Sequence, residues 1–534
     1  MVRNALRHGL VLPAPALRAG GGGGPGRGDG GPPADRGRLP RRARGVARGR
    51  RGRQDRHGRR SRQYRHGRRA PQDRFEAAER RVTTFLPTPS GWPSILLARR
   101  GEPDPTDLAA AVRAGAFGGL TTAVRELGPA ATIATLEDAR LRGRGGSGHL
   151  AAEKWRAAAR TPAKARYVVA NGYGADPAAS TDRTLLETDP YAVIEGAAIA
   201  AFAIGAEEVH IAVRATATEA IRRLDAAIVA ALEAGFIGED ALESGQRIEV
   251  TVRPLQGAYM LGEETVLLKA LESRRGQPEQ RPPHPSTRGL EGMPTLVQNV
   301  QTLALVPFIL RRGAAAFLGV GDPAEPGTVL VEVRGPEASG IAEVPLGTPL
   351  RDVVALAGGA ARGRKVKAVV VGGPAGGILP AGQLDTPYSF EGLRAAGAHV
   401  GSGSVVVADD RACVVDLARV LTRFCADEAC GKTIPCRIGL RRLAEIGGRM
   451  TAGTSRAGDL QLLEDLSADV VGAALCDHER LATLPLLSGL RYFRAEVDAH
   501  LERGECPAGV CRPATLAPAA AGRTTPARQS RAQA

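Results

Sequence analysis

Glu208-Val-His-Ile-Ala-Val-Arg214, the stretch Glu219 to Ala234, and Arg247-Ile-Glu-Val-Thr-Val-Arg253 together decide the fold. The two short runs alternate and are rich in β-branched residues, so they read as strands, and the stretch between them is long enough for a helix. Just upstream, Arg166-Tyr-Val-Val-Ala-Asn171 is a further short apolar strand. Asp189-Pro190 supplies an N-cap and a first helical residue, and Gly205 a fitting stop for the helix that follows. Strand–helix–strand spacing of this kind predicts an α/β layer with a largely parallel sheet.

Outward from that layer the texture changes twice. Residues 273–294 (SRRGQPEQRPPHPSTRGLEGMP) are expected to form a long loop, and such loops in α/β domains are usually functional. From Gly327 the runs TVLVEVRG and KVKAVVVGG, with a helix expected over Leu350–Ala357, predict a small β-rich unit. After Ser404 the pattern reads as helical to about Arg503. The first 81 residues hold 23 Arg against 6 acidic side chains, a net of +17. The chain as a whole carries +16, so the folded body is near neutral and its basicity belongs to this arm. The arm is Gly/Pro/Arg-rich and is expected to be disordered, as is the tail 512–534. It reads as a polyanion-binding arm, a targeting segment or an over-extended start. The last fits best, because Lys is scarce and Arg, Ala, Gly and Pro abound throughout, as GC-rich codons dictate. Only Tyr64 and Phe75 are there to stack on bases, so no nucleic-acid partner is expected. No apolar run reaches the roughly 18 residues of a spanning helix, so the expected place is the cytoplasm, at most peripheral on the membrane's cytoplasmic face.

All seven cysteines (Cys413, Cys425, Cys430, Cys436, Cys476, Cys506 and Cys511) lie in the final quarter of the 534 residues. Clustered thiols in a long chain suit metal ligation better than disulfide stapling. Cys430-Gly-Lys-Thr-Ile-Pro-Cys436 followed by Cys476 has the grammar of an iron–sulfur site, with Thr433 standing where a second cysteine belongs. Read without a metal, the same three are small buried apolar side chains.

Two further segments carry chemistry. Gly143-Arg-Gly145-Gly-Ser-Gly148 satisfies the dinucleotide-binding glycine pattern formally, yet charged Thr135–Arg142 precedes it and no acidic residue follows at the required distance, so that fingerprint is rejected. Bare glycine amides before a helix are either a cradle for phosphate or an isoalloxazine edge, or a hinge. Gly262-Glu263-Glu264 places paired carboxylates after a turn, either to bind hydroxyls or as ordinary helix-start acids.

LRGRGGSGHLAAEKW, NGYGADPAASTDRTLLETDPYAVIEG, GAYMLGEETVLLKALESRRGQP, GMPTLVQNVQTLA and CGKTIPCRIG with Cys476 occur in one order. Over roughly residues 100–505 this resembles the NADH-binding flavoprotein subunit of respiratory complex I and its relatives in NAD-linked hydrogenases and formate dehydrogenases. The resemblance implies a Rossmann-like FMN domain (82–320), a ubiquitin-like β-grasp domain (321–400) and a helical iron–sulfur domain (401–511). It implies hydride transfer from NADH to FMN and then single electrons to a cluster, with alignment rather than acid–base catalysis as the protein's task. No side chain is expected to be catalytic in its own right. The flavin-site residues it implies are Gly143, Arg144, Gly145, Gly148, Lys154, Asn171, Asp176, Tyr259, Gly262, Glu263, Glu264, Gln298 and Asn299. The cluster ligands are Cys430, Cys436 and Cys476, holding a [4Fe–4S] cluster or, with one ligand short, a [3Fe–4S] cluster; Cys425 and His478 are the alternative fourth donors. The partners implied are a thioredoxin-like [2Fe–2S] subunit and a large iron–sulfur subunit.

The departures are specific. Where the family has Ala-Asp-Glu-Ser-Glu-Pro-Gly after the asparagine, this chain has Gly172-Tyr173-Gly174-Ala175-Asp176-Pro177-Ala178. The adenine-sandwiching aromatics fall at His149, Ala157 and His284. Glu505-Cys506 to Cys511 resembles the junction to a ferredoxin-like domain and reads as a remnant or a redox-labile pair. Two other readings follow from these departures: a structural or assembly paralogue without NADH oxidation, and a flavoprotein with another electron donor.

Overall fold

The computed structural model describes residues 83–511. The arm 1–81 and the tail 512–534 lie outside the described residues. The first layer is a four-stranded parallel sheet of β1 (Tyr167–Gly172), β2 (Glu208–Arg214), β3 (Glu249–Leu255) and β4 (Thr295–Asn299), in the order β3-β2-β1-β4. The first three strands step in one direction, and the fourth returns to the far side of β1. The order of the sheet therefore reverses between β1 and β4, and in open α/β sheets ligands bind beyond the strand ends at such a point.

Alternation along β1 explains the layering. Val168 and Ala170 face one core with the helix Pro190–Ile204, while Tyr167 and Val169 face another with Met260, Leu261 and Cys476. The helix Pro190–Ile204 is capped by Asp189 and buried on nearly every side, as an all-round apolar helix must be. It crosses Val300–Arg312 so closely that a Cβ at Gly196 would collide with the Leu303 carbonyl. Strand β3 begins two residues later than the alternation predicts. Ile248 is spent in an isolated bridge to Gly238, and as an edge strand β3 accommodates Pro254 without breaking an internal ladder.

A two-residue hairpin, β5 (Gly321–Asp322) with β6 (Glu325–Pro326), leads to a five-stranded sheet. Its strands are β7 (Thr328–Arg334), β8 (Ser339–Pro345), β9 (Val366–Val371), β10 (Gly377–Pro380) and β11 (Ser404–Asp409), in the order β10-β9-β11-β7-β8. The last strand runs parallel to the first at the centre, and the helix Leu350–Ala355 lies between β8 and β9 in the chain, which is the β-grasp arrangement. Ser404–Asp409 corrects the expected helical onset at Ser404. Its Val-Val-Val run completes this sheet, and helices begin only at Val414. From there Val414–Glu428, Leu440–Ala452, Asp459–Gly472, Leu484–Tyr492 and Arg494–Glu502 pack around a third apolar core with Cys413, Cys425 and Cys436 in it. Among the described residues no helix is long and apolar enough to cross a membrane.

Candidate functional site

The strand ends at the reversal point carry most of the sequence-predicted polar groups. Asn171 and Asn299 are Cα partners at the ends of β1 and β4, with Gln298 one step back on β4. Gly143 and Gly145 pass over these ends: a Cβ at Gly145 would lie 3.4 Å from Asn299 Cβ, and one at Gly143 would lie 3.7 Å from Gln298 Nε2. The Gln298 Oε1 atom is buried without a hydrogen-bond partner. A buried amide oxygen rarely stays unpaired, so a ligand donor at these strand ends would have an acceptor waiting for it.

Lys154 reaches the same place from the helix Ala151–Arg160. Its Nζ donates to Glu264 Oε2 at 2.7 Å and to the Val297 carbonyl at 2.9 Å, and Arg281 donates to Glu264 Oε1 at 2.7 Å. Burial works to raise the Glu264 carboxyl, but the two cations hold it below its ordinary value, so it stays charged. Glu263 caps the helix Glu264–Leu271 by accepting from the Thr265 and Val266 N–H groups at 2.9 Å each, and burial raises its carboxyl. The helix-start reading therefore holds for Glu263, while Glu264 sits in a cationic clasp. Asn171 Nδ2 donates to the Gly262 carbonyl at 3.1 Å, tying the strand end to this turn.

Four predicted site residues turn elsewhere. The fully buried Arg144 guanidinium donates to the carbonyls of Arg142, Pro326 and Thr328, and its backbone N–H goes to Thr302 Oγ1. Gly148 has φ +69° and lies against Phe390, 2.7 Å from where a Cβ would be. Asp176 accepts from Ser402 Oγ at 2.6 Å and from the Ala178 N–H at 2.8 Å. Tyr259 leans away from the strand ends, its N–H donating to Glu428 Oε2 and its ring edge-on to Phe424 and His478. In the loop that departs from the family pattern, the Arg214 guanidinium lies 4.7 Å from the Tyr173 ring centre and donates to the Gly174 carbonyl. His149 and His284 are exposed.

Sequence reading missed Asp182 and Gln301. Asp182 accepts from Asn299 Nδ2 at 2.9 Å and Gln301 Nε2 at 2.7 Å, and so orients the β4 end. Burial pushes its carboxyl up to about 6 despite these donors. An acid in a first helical turn ordinarily signals the helix dipole, so nothing marked it out.

Cys430, Cys436 and Cys476 line one pocket with Met260, Lys432, Thr433, His478 and Glu479. Burial pushes the Cys436 and Cys476 thiols up to about 12, so metal must displace their protons. Thr433 donates to Glu479 Oε1 at 2.5 Å, and Glu479 Oε2 accepts from the Leu475 N–H at 2.9 Å. Cys425 is absent from the pocket lining, its thiol directed to the Pro374 carbonyl at 3.4 Å. Three soft thiol donors around a shared pocket fit an iron–sulfur cluster. Met260 belongs to the core on the β1 face that also holds Cys476, so the strand-end site and this pocket share one apolar wall.

A second donor set escaped the sequence reading. Cys413, His500, Cys506 and Cys511 bring one ligand atom each within 4.8 Å of one another. Cys413 Sγ lies 3.5 Å from His500 Nε2 and 3.6 Å from Cys511 Sγ. His500 Nδ1 is 2.8 Å from the Glu496 carbonyl, which leaves Nε2 as the lone-pair nitrogen. Burial works to raise the Cys506 thiol, yet the backbone N–H groups of Cys511 and Val510, with the neighbouring thiols, bring it down to about 6. Three thiols and one imidazole at this spacing are the donor set of a closed tetrahedral site of the zinc type. The only prior signal was the pair Cys506 and Cys511; Cys413 and His500 are remote in sequence.

A glycine loop over the switch point of a parallel sheet, a β-grasp unit and a thiol-lined helical pocket define a flavin- and iron–sulfur-binding oxidoreductase subunit. Residues 136–308 match the family model described as Nuo51 FMN-binding domain, and residues 416–500 the one described as NADH-ubiquinone oxidoreductase-F iron-sulfur binding region. The F 2 subunit of the NADH-quinone oxidoreductase of Rhizobium meliloti is 39% identical over 418 residues, covering 77% of this chain and 99% of the relative. The HndC subunit of the NADP-reducing hydrogenase of Solidesulfovibrio fructosivorans is 39% identical over 385 residues, covering 72% of this chain and 78% of the relative. The solved NAD+-reducing [NiFe]-hydrogenase in its H2-reduced state aligns with TM-score 0.69 at 31% identity, over 80% of this chain and 69% of that one. The chain belongs to the family of NADH-quinone oxidoreductase F subunits.

Proposed function

We propose that this chain is the subunit through which NADH delivers electrons to an NADH:quinone oxidoreductase-type assembly. The observation that carries the reading is the convergence of Gly143, Gly145, Lys154, Glu264, Asn171, Gln298 and Asn299 at the sheet reversal, one apolar wall away from three thiols. When bound, FMN supplies the exchange between a two-electron hydride and single electrons, and the cluster carries the single electrons onward. The chain's own residues do the positioning. With FMN bound, the glycine loop would let a flat ring approach the backbone, Lys154 would offer charge to its polar edge, and the unpaired Gln298 carbonyl would be free to accept a donor from it. Glu264 would then serve the ribityl hydroxyls of FMN, kept ionised by Arg281 and Lys154, while Glu263 caps the helix beneath it. Cys430, Cys436 and Cys476 hold the iron. Residues 82–320, 321–400 and 401–511 serve as the flavin, β-grasp and iron–sulfur domains. The partners we infer are a thioredoxin-like [2Fe–2S] subunit and a large iron–sulfur subunit, in the cytoplasm or on the membrane's cytoplasmic face. The Cys413–His500–Cys506–Cys511 set is a structural metal site apart from the electron route.

Anaerobic purification followed by visible spectra before and after NADH tests the reading. Flavin absorbance should bleach on NADH addition. A second reading, a flavoprotein fed by another donor, is favoured by Tyr173 and Gly174 standing where the family carries acids, with the Arg214 guanidinium packed on the Tyr173 ring. Flavin that ignores NADH yet bleaches with dithionite would establish it. A chain that takes up neither flavin nor iron after reconstitution would leave a structural paralogue.

A further inference from the structure

We propose that His478, through its Nδ1 atom, supplies the fourth protein ligand of the cluster in place of the missing cysteine at Thr433. The inference rests on the electron-input reading above and names a ligand that this reading leaves open.

Three non-thiol side chains with oxygen or neutral nitrogen donors line the pocket of Cys430, Cys436 and Cys476: Thr433, Glu479 and His478. The first two are spent. The Thr433 hydroxyl is bonded to Glu479 Oε1, and the other carboxylate oxygen accepts the Leu475 N–H. Replacing either bond by iron would leave a part-buried partner unsatisfied. Cys425, the other candidate, faces the Pro374 carbonyl outside the pocket lining.

His478 differs from all of these. Its Nε2 lies 3.0 Å from the Cys425 carbonyl oxygen. A carbonyl only accepts, so Nε2 carries the proton and Nδ1 is left with a bare lone pair. That Nδ1 is buried and has no hydrogen-bond partner, in a residue only 9% exposed. One ring nitrogen donating to a backbone carbonyl while the other is free is how a metal-binding histidine is oriented. The ring is also held edge-on by Tyr259 at 5.5 Å, and its helix, Asp477–Leu481, starts from the ligand Cys476 as N-cap. The cause of the orphaned nitrogen is thus local: the helix that presents one ligand presents the next a half-turn later. A neutral imidazole in place of a thiolate removes one negative charge from the cluster, which should raise its potential, as histidine ligation does in Rieske centres.

The test uses the full chain, purified anaerobically with its flavin, from cells fed histidine labelled with heavy nitrogen. Pulsed EPR of the dithionite-reduced cluster should show strong coupling to a directly bound histidine nitrogen. His478→Ala should lose that coupling and drop from four irons per chain to three. His478→Cys should keep four irons, lose the coupling and titrate at a lower potential than wild type. A four-iron cluster in the wild type without histidine coupling overturns the inference and leaves the electron-input reading standing. A wild-type chain that binds no iron under any reconstitution overturns both. The wild-type measurement decides even if a variant fails to fold.

Discussion

At the strand ends, Asn171 and Asn299 are placed by sheet register, each the other's Cα partner, so backbone hydrogen bonds fix where their side chains start. The thiols have no such frame. Cys430 and Cys436 sit on a loop and at a helix start, Cys476 caps a short helix, and Cys413 meets Cys511 across 98 positions of chain. The first region is framed by the sheet's own hydrogen bonds. The second depends on soft donors whose protons a metal must displace. The contrast teaches that cofactor loss should be separable: damage to the strand ends should cost flavin and spare metal, and damage to the thiols should do the reverse.

The largest effect that would sharpen or break this separation is Cys436→Ser. Iron should fall to background in metal analysis while flavin absorbance stays at the wild-type level, and loss of both would show that the two regions assemble as one. Cys506→Ser comes next. It should remove the metal of the second donor set alone and lower stability to urea by about 4 kcal/mol when that metal is held about 1,000-fold above its dissociation constant. Retained iron in the same sample is the expected mark of two independent thiol sites.

Asp182 tests the frame of the strand ends. Burial raises its carboxyl from 3.8 to about 6. A raised carboxyl favours the folded state fully below 3.8, and that contribution is lost as pH rises through about 6. A shift of roughly two units corresponds to about 3 kcal/mol. Urea denaturation across that window should show wild-type stability falling with pH relative to Asp182→Asn, and parallel curves would remove Asp182 from the framework. The smallest effect is expected for Lys154→Met. With 29% of its side chain exposed, Lys154 is partly screened, and losing it should weaken flavin binding roughly tenfold, about 1.4 kcal/mol, by equilibrium dialysis. Iron content should not change.

Where function follows from local rules, the sequence was readable. Asp189-Pro190 and Gly205 bracket a helix because caps act over a few residues, and β2 lies where its alternation puts it. Ser404–Asp409 was misread because a Val run between loop and helix carries no mark of the distant β7 and β9 that it joins. The glycine loop and Glu264 were legible as motifs. Arg144 was legible as part of the same motif, but its side chain serves the carbonyls of a strand that begins more than 180 residues later. The tetrad needed three dimensions, since His500 and Cys413 stand 87 residues apart. The gap at Thr433 was visible from spacing alone, whereas its partnership with Glu479 was not.

The grip of Arg144 on Pro326 and Thr328 sets a timetable for biogenesis. A nascent chain still lacking those carbonyls has a buried guanidinium with most of its acceptors unborn, so the loop over the strand ends has nothing to close against. Prosthetic-group loading should therefore wait until translation has delivered the β-grasp strands. Ribosome-stalled chains ending near residue 320 should bind no flavin, and those carried past residue 409 should begin to.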